Sequence, residues 1–113
     1  MGVESAIYSW QQGERRLAAQ PPERAARLQR VSDALVAELR RRLGGRFSSS
    51  ELVALYRAGT SWCLPIAMKV APQDPWAWDA AIVVDAAFAR YLREAADYAG
   101  GRSGAEGRAG ATA

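Results

Sequence analysis

The stretch from Pro75 to about Tyr98, PWAWDAAIVVDAAFARYLREAADY, is apolar around most of its circumference, and this constrains the fold more than any other feature. Projected at roughly 100° per residue, Asp79, Arg90, Arg93, Glu94 and Asp97 gather into about a third of the circle. Trp78, Ala81, Ile82, Val84, Phe88, Ala89, Tyr91, Leu92 and Ala95 fill the remainder. A helix with so narrow a polar stripe has to be covered on two sides, which predicts a central helix with others leaning against it. Asp74-Pro75 is its predicted start, an acid that caps followed by a proline suited to the first helical position. Gly100-Gly101 is its predicted stop.

Three further helices are legible before it. Residues 4–19 place Ile7, Trp10, Glu14 and Leu17 at helical spacing, interrupted by Gly13, which in a helix interior costs about 1 kcal/mol against alanine. Pro21-Pro22 ends that helix and opens the next, which runs to Leu43. Its apolar positions Leu28, Val31, Leu35 and Leu39 step by three and four into a narrow seam. Gly44-Gly45 stops it, with Arg40, Arg41 and Arg42 in the last turn where positive charge suits the helix dipole. Ser48 and Glu51 then form a capping box, with Phe47 placed as a hydrophobic staple onto Leu52. The third helix carries Leu52, Leu55 and Tyr56 onward to Trp62, Cys63 and Ile66, and Gly59 and Pro65 predict that it is bent or split. The predicted fold is therefore all-α, a compact four-helix bundle forming one domain over residues 1–99, followed by a disordered Gly/Ala-rich tail over 100–113.

Composition removes most chemistry. The 113 residues contain no histidine and one cysteine, Cys63, so neither a histidine general base nor a Cys/His zinc cluster can be built. No phosphate-binding glycine motif is present, and nothing implies a cofactor or a metal. The expectation is a non-enzymatic protein. Its single cysteine fits a reducing cytoplasm, no apolar run approaches the roughly 18 residues of a membrane span, and Glu4 sits where a signal peptide would be positive.

The net charge of +3 is unevenly spread. Residues 15–57 hold ten arginines against Glu23, Asp33, Glu38 and Glu51, a net of +6. Residues 58–101 hold Lys69, Arg90 and Arg93 against Asp74, Asp79, Asp85, Glu94 and Asp97, a net of −2. Such a split either meets an anionic partner or lets the two halves attract each other within one bundle. Arg27, Arg30, Arg41, Arg42 and Arg46 are the candidate phosphate contacts if nucleic acid is the partner. A solvated face tempered by Arg30/Asp33 and Glu38/Arg41 pairs is the plainer reading. A helix-turn-helix across residues 41–62 would give its recognition helix only Arg57, few tools for reading bases.

Two other features single themselves out. Asp85 projects into the apolar arc of the last helix, where a carboxylate must be paired or protonated; Arg57, Arg15 or a tryptophan indole are the expected partners, and a catalytic role with Tyr56 is the minor alternative. Trp76 and Trp78, two apart, face different sides, so Trp78 joins the core while Trp76 lies at an edge, folded over the helix end or available to a partner. The function these features favour is a small protein-interaction module, self-associating or docking a larger cytoplasmic protein. Its expected contacts are Trp76 and the Leu28, Val31, Leu35, Leu39 seam, and nucleic-acid binding through the arginines is the alternative.

Overall fold

The computed structural model describes the backbone of residues 3–72 and 78–108, and the side chains of 3–72 and 78–95. Five helices and no strand are found among the described residues: α1 (Val3–Ala18), α2 (Pro22–Leu43), α3 (Ser49–Arg57), α4 (Gly59–Val70) and α5 (Ala80–Arg108). The all-α class is as expected, and the helix count is five where four were predicted. The third predicted helix is two, divided at Ala58, whose φ of −85° and ψ of 4° close α3 and open α4. Pro65 lies inside α4 without ending it. Its missing N–H frees the carbonyl of Ser61, and Ser61 is exposed, so water can satisfy that group.

The turn chemistry acts as the residue types dictate. Pro22 is the first residue of α2. At its far end Gly44 takes a left-handed φ of 64° and donates its N–H to the Arg40 carbonyl at 2.7 Å, and Gly45 follows at φ 81°. Ser48 caps α3 by accepting the Glu51 N–H at 3.4 Å. The other half of the predicted capping box is put to a different use, since the Glu51 carboxylate is held by Arg46 at 2.7 Å. Phe47 is 53% exposed while Leu52 is fully buried, so the expected staple leaves most of Phe47 in solvent.

Both predicted ends of the last helix need correction. Trp78 and Asp79 precede α5, and the Asp79 carbonyl accepts the N–H groups of Ile82 and Val83 at 2.9 and 2.8 Å. Asp79 therefore stands in the capping position assigned to Asp74, a residue type equally suited to it. Asp74, Pro75 and Trp76 lie outside the described residues. At the other end the helical backbone passes through Gly100-Gly101 to Arg108. Each glycine costs only about 1 kcal/mol, no proline intervenes, and Arg102, Ala105, Glu106 and Arg108 are good helix formers.

As predicted, α5 is central. It touches each of the other four helices, α1 and α2 most extensively. Ile82, Val83, Val84, Ala86, Ala87, Phe88, Ala89, Tyr91 and Ala95 are all buried. An aromatic cluster joins the layers: Trp10 lies 5.1 Å from Phe88 and 5.5 Å from Tyr56, Tyr56 meets Phe88 edge-on at 5.4 Å, and Trp62 lies 6.2 Å from Phe88. Polar tips secure two of the junctions. The Trp62 Nε1–H donates to the Leu55 carbonyl at 2.9 Å, and the buried Tyr91 hydroxyl donates to the Arg46 carbonyl at 2.6 Å, pinning α5 to the turn after α2.

Candidate functional site

The seam of α2 is spent inside the chain. Leu28, Val31, Leu35 and Leu39 are each 0% exposed, joined by Val36 and Leu43 in the same core. Covering each such side chain stabilises the fold by roughly 1.5–3 kcal/mol, and α5 together with α4 supplies the cover. The assignment of these four residues to a partner surface is thus corrected: a narrow apolar stripe reads alike whether its cover comes from another subunit or from the chain's own central helix.

Arg24 and Arg40 of the basic half make ion pairs that cross to the acidic half. Arg40 makes a bidentate contact with Glu94 at 3.0 and 2.9 Å, and Arg24 meets Asp79 at 3.3 Å. The exchange also runs the other way, with Arg90 on Asp33, and Arg93 pairs with Glu14 of α1. Of the candidate phosphate contacts, Arg41 and Arg42 converge on Glu38 at 3.0 and 2.7 Å, and Arg46 is shared between Glu51 and the Leu43 carbonyl. Arg42 also lies over the Trp62 ring, 5.1 Å from its centroid. Arg27 is half-buried and Arg30 exposed. The expected Glu38/Arg41 pair forms, whereas Asp33 is taken by Arg90 and Gln29. Hydrogen bonds from Arg41 and then Arg42 hold the Glu38 carboxyl well below its usual range, at about 2.

Asp85 is half-buried, at the crossing of α1 and α5. A Cβ built on Gly13 would lie 2.3 Å from the Asp85 Cβ, so the missing side chain of Gly13 makes room for this residue. Burial pushes the Asp85 carboxyl up, and a hydrogen bond from the Tyr56 hydroxyl and the charge of Arg16 draw it part of the way back. Arg16 is the neighbour in sequence of the Arg15 named above. Tyr56 is itself pushed up to about 12, first by burial and then by Asp85. The pair lines a 240 Å³ cleft whose wall includes Arg57 and Thr60. Chemically this is a hydrogen-bonding site: Tyr56 stays protonated at neutral pH, and the buried Cys63 thiol, also pushed up to about 12, is no nucleophile.

Exposed apolar surface gathers on α4. Met68 is 63% exposed and Val70 38%, with Pro65 also exposed and Leu64 half-buried on the same helix. Tyr8 stands out separately on α1 at 65%. Met68 was not legible as a surface residue by type; the signal available was its place across the helix from Gly59, Trp62 and Cys63. Trp76, the partner-binding candidate from the sequence, lies outside the described residues. Among the described residues no helix is long and apolar enough to cross a membrane. Neither a protein-family model, nor a characterised protein, nor a solved structure matches the chain.

Proposed function

We propose that this chain is a small non-enzymatic protein-interaction module that docks a protein partner through the outer face of α4 and the segment that follows it. One observation carries the reading: Met68 is 63% exposed, beside the half-buried Leu64, on the side of α4 turned away from the buried Gly59, Trp62 and Cys63. Methionine is well suited to such a surface, since its flexible thioether adapts to a partner, and tryptophans such as Trp76 are typical anchors of interfaces. The α2 seam takes no part, and the arginines serve first to tie the two halves of the chain together. In this reading α3 and α4 are the halves of one split helix, which makes the architecture a four-helix bundle around α5, and the working compartment is the cytoplasm.

Light scattering and chemical crosslinking of the wild type and Met68→Glu test the proposal, first with the chain alone and then with cell extract. The expected result is an association, with a second copy or with another protein, that Met68→Glu abolishes while leaving helicity and melting temperature unchanged. An association indifferent to Met68→Glu overturns it. So does salt-sensitive binding to mixed DNA or RNA that is lost on replacing Arg27 and Arg30, because that result assigns the function to the basic face.

A further inference from the structure

The junction of α1, α2 and α5 leaves a cleft of 370 Å³, and we propose that it binds a small amphipathic carboxylate. The cleft exists because short side chains meet there, Ala18 from α1, Ala25 from α2 and Ala86 from α5, and its size falls at the small end of ligand pockets, roughly 300–1,000 Å³. Its floor is apolar except at one point. Ser32, 1% exposed, is the sole buried residue of the polar or charged types among the described residues, and it lines the cleft. A hydroxyl set in an apolar floor gives a ligand one directional contact, so the floor favours an occupant that brings a hydrogen-bonding atom to Ser32 and apolar surface to Leu17 and Ala86.

The rim supplies the charge. Arg90 and Arg93 stand one turn apart on α5 and both line the cleft, with Glu14 opposite. Arg90 is held by two acids, Asp33 and Glu94. Arg93 has Glu14, through side chains that are 54% and 36% exposed, and so solvated an ion pair is weak. A ligand carboxylate can take the place of Glu14 on Arg93, presenting the same charge to the guanidinium while its apolar body leaves water. The carboxylate is therefore assigned to Arg93, the body to the floor, and a polar atom of that body to Ser32.

Titration of the full chain with hexanoate, benzoate and 4-hydroxybenzoate, followed by amide chemical shifts, tests this, with 4-hydroxybenzamide as the uncharged control. Saturable shifts centred on Ser32 and Ala86 are expected, with the amide binding roughly tenfold more weakly than the acid. Arg93→Gln should erase that difference, and Ser32→Ala should erase the preference for 4-hydroxybenzoate over benzoate. Ala25→Leu, which fills the cleft from a half-buried wall position, should abolish binding with the helical spectrum intact. Absence of saturable shifts at Ser32 and Ala86 with every one of these acids overturns the proposal, as do equal affinities for acid and amide or binding that survives Ala25→Leu.

Discussion

Replacing Gly13 by alanine reverses the usual effect of such a change. In an ordinary helix interior Gly→Ala gains about 1 kcal/mol, and α1 on its own would become more stable. In the folded chain the added Cβ meets the Asp85 Cβ at 2.3 Å, the Ala86 nitrogen at 3.1 Å and the Asp85 carbonyl carbon at 3.3 Å. None of these is the movable end of a flexible side chain. Carbon atoms pack at about 3.5–4.0 Å, so α1 has to retreat from α5 by about 1 Å, loosening the contact of Trp10 with Phe88 at the centre of the aromatic cluster. Overpacking of this kind costs typically 1–3 kcal/mol, and after the propensity gain of about 1 kcal/mol a net loss of about 0–2 kcal/mol remains. At about 4–8 °C per kcal/mol for a domain of this size, the melting temperature should fall by up to roughly 15 °C, read by circular dichroism. In an Asp85→Gly background, which removes the atom most closely approached, Gly13→Ala should lose most of its penalty. A higher melting temperature for Gly13→Ala than for the wild type refutes the close crossing of α1 and α5.

Leu35→Ala should cost about 2–5 kcal/mol in urea unfolding, while Arg30→Ala on the solvated side of α2 stays near wild type; similar small losses for both would mean that the seam is not buried. Glu38→Gln should cost about 1 kcal/mol at neutral pH and low salt. Because the folded carboxyl is held at about 2, the wild type's advantage is fully present above the unfolded value near 4.5 and disappears as the pH falls through about 2, so the two stability curves converge in acid; parallel curves would contradict the pairing with Arg41 and Arg42. Asp85 has the opposite sign. Its raised folded pKa means that its contribution falls as the pH rises through the interval between the unfolded and the folded value. Tyr56→Phe, which removes a bond favouring the ionised form, should raise the Asp85 pKa further in a carboxyl-detected titration, and an unchanged value would separate the two residues.

The helices announced themselves where a residue type permits one conformation and little else. Pro22, Gly44 and Ser48 mark their boundaries because each acts through its own backbone, and the all-apolar arc of α5 left no role for it but the centre. Where two residues were equally competent, sequence could not choose: Asp74 and Asp79 are both good caps, and only the packing of Trp78 and Ala80 against the core distinguishes them. Gly13 was visible only as a weak point of a helix, since its value lies in the Asp85 side chain on another helix. The seam of α2 read as a partner surface for the same reason, although the chain's own helices cover it. Periodicity shows which residues share a face, and it is silent on which face the rest of the chain will cover.

The most direct test places a photo-crosslinking amino acid at position 68 and, in a separate variant, at position 30, and analyses the adducts formed in cell extract. The account predicts discrete protein adducts from position 68 and none from position 30. Nucleic-acid adducts at position 30 with a silent position 68 would contradict it.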